Sequence, residues 1–113
     1  MRISRAYTLE SSHQLTGVPP EHKCSRVHGH QYRIVLSVEG SIDPVTGMVI
    51  DFWDLDRAFA PIHEVLDHHH INDTVANPTA ENIALWIGAH LNVPGLTTVT
   101  VYETPDCWAE WVA

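Results

Sequence analysis

The sequence has few of the features that mark membrane, secreted or disulfide-rich proteins. No apolar run approaches the roughly 20 residues that a membrane-spanning helix needs, and the first residues lack the apolar stretch of a signal peptide. We therefore expect a cytoplasmic protein without a membrane partner. Only two cysteines occur, Cys24 and Cys107. This number argues against a disulfide scaffold, although one bridge between them stays open.

Basic residues are also scarce. The chain has six Lys and Arg against 14 Asp and Glu, a formal net charge of −8, and no basic residue after Arg57. Because nucleic-acid binding normally requires a basic surface, we expect no nucleic-acid partner. Lys23 and Arg26 flank Cys24 and form one local basic spot. They could bind an anion or could be two solvated surface charges.

Histidine, in contrast, is abundant, with nine in 113 residues. The length predicts one domain over residues 1–113. Hydrophobic periodicity predicts an α+β fold, an antiparallel sheet with two helices packed on one face. Pro61 is expected to kink or split the first helix. The predicted elements are strands at 2–9, 30–39, 48–52, 97–103 and 108–112, and helices at 54–66 and from Thr79 to about Leu91.

A metal site is suggested by His28-Gly29-His30 at the start of a predicted strand. Residues two apart on a strand point to the same face, so both imidazoles can reach one ion. His13, at the end of the first strand, is a candidate third ligand. Three histidines would leave the fourth position of a zinc ion open, as in catalytic sites. Alternatively, His28 and His30 are two surface histidines beside a loop.

Other residues are candidates for proton transfer. A thiolate at Cys24 would be favoured by a nearby zinc ion and by Lys23 or Arg26, unless Cys24 is an inert loop residue. Asp67 could orient His68 and raise its basicity, with His69 and His70 as competitors for that role. Alternatively, this segment is only a polar helix end whose histidines interact with the helix dipole.

Glu103 is predicted to share a strand face with Val99 and Val101. A carboxylate on a core-facing position is costly unless it is paired. A buried Glu103 could accept two N–H donors from the edge of a flat, guanidine-like ring. A solvent-exposed Glu or a structural ion pair with an arginine remains the alternative.

Five motifs occur in an order and spacing that resemble a known family. They are Cys24-Ser-Arg-Val-His28-Gly-His30, Met48-Val-Ile-Asp51-Phe52, Leu66-Asp67-His68-His69, Asn77-Pro78-Thr79-Ala-Glu81 and Val101-Tyr-Glu103-Thr104. Together they resemble the 6-pyruvoyl-tetrahydropterin synthase and 6-carboxy-tetrahydropterin synthase family of the tunnelling fold (T-fold), over essentially the whole chain. The resemblance implies a four-stranded antiparallel sheet with two helices. It also implies homo-oligomers, in which trimers close a barrel, two trimers form a hexamer, and sites lie between subunits.

The resemblance also implies roles for single residues. It makes zinc the cofactor, Cys24 the catalytic cysteine and Glu103 the anchor of the pterin ring. Asp67 and His68 become a proton-relay pair that would serve a neighbouring subunit. His70 stands where relatives often have tyrosine, so which histidine acts is open. The implied zinc ligands are His13, His28 and His30.

The implied reaction depends on the subfamily. The four-residue step from Cys24 to His28 resembles the bacterial 6-carboxy-tetrahydropterin enzymes. These are zinc-dependent lyases that convert 7,8-dihydroneopterin triphosphate to 6-carboxy-tetrahydropterin, acetaldehyde and triphosphate, toward 7-deazaguanines such as queuosine. Lys23 and Arg26 are expected to meet the triphosphate, with Arg33 as a further candidate. The alternatives are a 6-pyruvoyl-tetrahydropterin synthase, a non-catalytic zinc or pterin-binding module, and an unrelated metal hydrolase.

Overall fold

A computed structural model describes residues 1–113. Four strands form one sheet in the order β1-β2-β3-β4, and each strand runs antiparallel to its neighbours. This confirms the predicted α+β architecture with two helices and an antiparallel sheet. None of the helices has the length and apolar character needed to cross a membrane. The elements are β1 (Arg2–His13), β2 (His28–Glu39), α1 (Phe52–Leu66), α2 (Ala80–His90), β3 (Leu96–Thr104) and β4 (Cys107–Val112), with short 3₁₀ turns at Lys23–Ser25 and Ile71–Asp73.

The core lies between the helices and one face of the sheet. Alternate residues of a strand point to opposite faces, and β1 pairs with β2 over 12 residues from Arg2↔Glu39 to His13↔His28. The buried positions therefore recur every second residue. The other face of the sheet is mostly polar and open. The buried strand residues include Leu9, Tyr32, Ile34, Leu36, Val99 and Val101, which pack with Phe59, Leu66, Ile83 and Ile87 from the helices.

Helix α1 begins earlier than predicted and is not interrupted. The side chain of Asp51 accepts a hydrogen bond of 2.9 Å from the backbone N–H of Trp53, which caps the helix at Phe52. The helix continues through Pro61 to Leu66, so the predicted split is wrong. Pro61 removes the N–H that would bond to the carbonyl of Arg57, and both residues are exposed, so water can reach that carbonyl.

The predicted strand at 48–52 is also wrong. Residues 48–51 form bends and coil, and Phe52 already belongs to α1. The side chain of Asp43 stabilises the turn before them, accepting hydrogen bonds from the N–H groups of Val45 and Thr46 at 2.7 and 3.1 Å. The short apolar run predicts a strand, but Asp51 within it caps α1.

Helix α2 packs closely on the end of the sheet. Thr79 caps it, accepting a hydrogen bond of 3.0 Å from the N–H of Asn82. Gly88 lies against the indole of Trp111, where an added Cβ would come within 2.7 Å of the ring. Since only hydrogen fits there, Gly88 sets the distance between α2 and β4.

Candidate metal centre

Three histidines meet at one end of the sheet. His13 ends β1 and is paired directly with His28 at the start of β2, and His30 follows two residues later on the same face. The ring centroids lie 4.5 Å apart for His13 and His28, 5.0 Å for His13 and His30, and 4.9 Å for His28 and His30. One potential ligand atom from each ring, with one from Glu103, falls within 4.8 Å of the others. We call these four residues the histidine cluster.

The hydrogen bonds of two rings orient their Nε2 atoms toward each other. His13 Nδ1 lies 2.8 Å from the carbonyl oxygen of Pro78, and His28 Nδ1 lies 2.7 Å from that of Arg26. A carbonyl oxygen only accepts, so these contacts assign the proton to Nδ1 in both rings. The two Nε2 atoms, 3.0 Å apart, then present lone pairs to each other. Such lone pairs repel unless a cation lies beside both.

The cluster fits a zinc ion. Zinc–nitrogen bonds of about 2.0–2.1 Å in a tetrahedron place neighbouring ligand atoms about 3.3 Å apart, which is close to the separation of the two Nε2 atoms. His30 Nε2 is buried without a hydrogen-bond partner, although Glu103 Oε1 lies 3.1 Å away. Three imidazole nitrogens are one of the donor sets of catalytic zinc sites, in which the fourth position stays open.

Burial favours the metal-binding form of the rings. Desolvation lowers the pKa of His13 below its ordinary value, although the bond to Pro78 and the charge of Glu103 act in the opposite direction. Desolvation likewise lowers the pKa of His30, again against the influence of Glu103. At neutral pH both rings are therefore neutral, as metal ligands must be.

A cavity of about 490 Å³ adjoins the cluster. That volume lies within the usual range for small-ligand pockets, roughly 300–1,000 Å³. Glu103 reaches the cavity from β3, where the register of β3 and β4 shifts between Tyr102 and Thr104. Besides His30 and Glu103, the cavity walls include Thr8, Gln31, Arg33 and Tyr102.

Cys24 lies near the cluster in sequence but outside it in the structure. It is half-buried in the 3₁₀ turn Lys23–Ser25, and its carbonyl accepts a hydrogen bond of 2.8 Å from the N–H of Leu15. Its sulfur does not belong to the set of converging ligand atoms. Lys23 and Arg26 occupy the same exposed turn, and neither lines the cavity beside His30 and Glu103.

Asp67 and His68 form a contact at the outer edge of β1. His68 Nδ1 lies 2.9 Å from Asp67 Oδ2, and the backbone N–H of Glu10 donates to Asp67 Oδ1 at 2.9 Å. That backbone bond, together with the bond from His68, holds the pKa of Asp67 below its ordinary value. His68 has a left-handed φ of 57° and a side chain that is 76% exposed. His68 therefore faces solvent, and neither Asp67 nor His68 belongs to the histidine cluster of its own chain.

The two neighbouring histidines make other contacts. His69 Nδ1 lies 2.7 Å from the backbone carbonyl of Asp67, and His70 Nδ1 lies 3.0 Å from the hydroxyl of Ser12. Of the three histidines, only His68 contacts the carboxylate of Asp67. The segment pairs with the edge of β1 through backbone bonds from His68 to Glu10 and from Ser12 to His69.

Two asparagines near the cluster were not identified from the sequence. Asn72 exchanges hydrogen bonds with both backbone groups of Gln14, at 2.9 and 2.8 Å. Asn77 Oδ1 accepts from the N–H groups of Thr16 and Gly17 at 3.0 and 3.3 Å. They hold the loop that follows His13, and the residue after Asn77 supplies the carbonyl that orients His13. In the sequence, Asn77 and Pro78 stand out only as part of the motif Asn77-Pro78-Thr79-Ala-Glu81.

Comparisons with known proteins agree with this geometry. The sequence profile of the family described as 6-pyruvoyl tetrahydropterin synthase matches residues 2–113. A 6-carboxy-5,6,7,8-tetrahydropterin synthase of Synechocystis sp. is 40% identical over 114 residues, covering 90% of this chain and 85% of the relative. Human 6-pyruvoyl tetrahydrobiopterin synthase is 34% identical over 127 residues, covering 93% and 86%. The structure of Caenorhabditis elegans 6-pyruvoyl tetrahydropterin synthase superposes with a TM-score of 0.89 at 24% identity, over 100% of this chain and 95% of that one.

Proposed function

The chain belongs to the 6-pyruvoyl tetrahydropterin synthase family, and from this we propose that it is a zinc-dependent lyase acting on 7,8-dihydroneopterin triphosphate. The proposed products are 6-carboxy-5,6,7,8-tetrahydropterin, acetaldehyde and triphosphate, on a route to 7-deazaguanines such as queuosine. The observation that carries this proposal is the convergence of His13, His28 and His30, with two Nε2 atoms 3.0 Å apart. The carboxy-forming reaction is favoured by the 40% identity to the Synechocystis relative and by the short step from Cys24 to His28.

In this proposal His13, His28 and His30 hold the zinc ion. The ion supplies Lewis-acid chemistry that acidifies substrate hydroxyls and stabilises oxyanion charge. Glu103 anchors the pterin ring, since its carboxylate reaches the cavity beside His30. Cys24, as a thiolate, removes a proton from the side chain of the substrate or returns one to it. The basic residues expected to meet the triphosphate from the neighbouring turn are Lys23 and Arg26.

The relay pair is proposed to act on a neighbouring subunit. Asp67 keeps its charge because backbone and imidazole N–H groups bond to it, and it orients His68 as the proton donor. The exposure of His68 fits a role at a subunit boundary. We accordingly propose a homo-oligomer, a hexamer of two trimers with closed barrels, built from one-domain chains in the cytoplasm. The outer edge of β4 is free to pair with another chain in such a barrel.

Product analysis tests the proposal. Zinc-loaded protein is incubated with 7,8-dihydroneopterin triphosphate, and the products are identified by mass, with Cys24→Ala as the matched control. We expect acetaldehyde and 6-carboxy-tetrahydropterin from the natural chain and neither from the variant. A 6-pyruvoyl product with triphosphate release would establish the alternative synthase reaction. Binding without turnover would show a pterin-binding module, and no pterin binding would contradict the proposal.

A further inference from the structure

The cavity beside the histidine cluster extends onto the open face of the sheet. Neighbouring residues on a strand point to opposite faces, so Arg33 and Tyr102 lie on the face away from His30 and Glu103. Arg33 stands opposite Thr8 on β1 and Tyr102 on β3, and all three line the cavity. The cavity therefore joins the cluster to the open face, and Arg33 is the one Lys or Arg that lines it.

The charge of Arg33 is not neutralised within the chain. Three other arginines form ion pairs: Arg2 with Glu39 at 2.7 Å, Arg5 with Asp56 at 3.1 Å, and Arg57 with Asp54 at 2.9 Å. Arg33 forms none of these contacts. Its guanidinium lies 5.4 Å from the ring centroid of Tyr102, a cation–π contact that positions the group without using its N–H donors. Lys23 and Arg26 also form no ion pair, so what distinguishes Arg33 is that it lines the cavity.

A neighbouring carboxylate on the open face already has another partner. Glu10 lies beside Gln31 on that face, and the Gln31 side-chain amide donates to Glu10 Oε1 at 2.7 Å. Glu103, the other carboxylate of the cavity, is directed to His30 on the opposite face. The cavity thus has an anionic side at Glu103 and a cationic side at Arg33.

We infer that Arg33 binds a phosphate group of the substrate. This inference rests on the proposed function, since it names the group that receives the triphosphate of a pterin held at Glu103. A guanidinium presents a planar set of donors that matches phosphate oxygens. Glu103 repels phosphate and Arg33 attracts it, so the two charges orient the substrate along the cavity. Arg33 lines that cavity, whereas Lys23 and Arg26 do not.

Binding of two ligands that differ only in the phosphate chain tests this. Neopterin and neopterin triphosphate are titrated by fluorescence into zinc-loaded protein. We expect Arg33→Gln to lower the affinity for neopterin triphosphate about 10- to 100-fold, the usual loss for hydrogen bonds to a charged group. The affinity for neopterin should not change. Arg33→Lys should restore part of the affinity. Added salt should weaken triphosphate binding by the natural chain more than triphosphate binding by Arg33→Gln.

Arg57→Gln is the matched control, because it removes one positive charge from helix α1, outside the cavity. It should leave the preference for the triphosphate in place. If Arg33→Gln keeps that preference, or if only Lys23→Gln or Arg26→Gln loses it, the inference is wrong. If the natural chain binds neither ligand, the proposed function fails instead. Unchanged neopterin binding shows that the variant is folded.

Discussion

Replacing Asn77 by alanine tests whether the loop after His13 positions the candidate metal centre. The change removes the acceptor for the N–H groups of Thr16 and Gly17, at 3.0 and 3.3 Å. Each bond contributes about 1 kcal/mol. Alanine would also adopt the φ of 44°, which costs roughly another 1 kcal/mol. We therefore expect a loss of about 2–3 kcal/mol in the free energy of unfolding, measured by urea denaturation.

Zinc affinity separates positioning from simple loss of stability. The carbonyl of Pro78, next to Asn77, lies 2.8 Å from His13 Nδ1, and loss of such outer contacts costs about 10- to 100-fold in metal affinity. Competition with a chromophoric chelator should show a loss of about tenfold in Asn77→Ala. Asn77→Gly should lose similar zinc affinity but less stability, because glycine tolerates the positive φ. Asn77→Asp keeps the acceptor and should keep both properties. Unchanged zinc affinity in Asn77→Ala, with stability lowered, would refute the positioning argument.

Three further predictions concern the site and one concerns the fold. Burial lowers the pKa of His13 and His30 from 6.5, so below that pH the unfolded chain binds more protons than the folded chain. In urea titrations, the metal-free protein should keep its full unfolding free energy above about pH 6.5 and lose part of it at lower pH. An equal loss in a variant with both histidines changed to glutamine would contradict this. Glu103→Gln should weaken pterin binding while zinc remains bound, so unchanged pterin affinity in titrations would exclude the anchor. Cys24→Ala should retain zinc by metal analysis and lose most turnover; full activity would exclude a thiolate role. Gly88→Ala should lower the unfolding free energy by roughly 1–3 kcal/mol through overpacking, and a rise in melting temperature would show that the indole can move aside.

The strands and helices could be predicted where the local pattern matches the tertiary packing. Alternation in β1 and β2 follows from burial of one face of the sheet, and the 3.6-residue stripe of α1 follows from packing on that face. The predicted strand at 48–52 is wrong because a short apolar run does not show whether it ends a hairpin or precedes a helix. Asp51 ends the apolar run as the cap of α1, because its side chain accepts a hydrogen bond from the N–H of Trp53.

The candidate site could be predicted only in part, for a related reason. The shared direction of His28 and His30 follows from strand periodicity alone. The position of His13 opposite His28 depends on the register of β1 and β2, which local sequence patterns do not specify. The carbonyls of Arg26 and Pro78 were missed because backbone acceptors carry no residue signal. The unpaired state of Arg33 depends on which carboxylates fold close to it, so sequence reasoning could only place it among several basic candidates.

The most direct test of the account is zinc-edge anomalous diffraction from crystals of the zinc-loaded protein. We expect one peak at about 2.0–2.1 Å from the Nε2 atoms of His13, His28 and His30, with a fourth position facing the cavity. A peak elsewhere in the chain, or no bound zinc at the histidine cluster, would contradict the claim that these three rings form the metal centre.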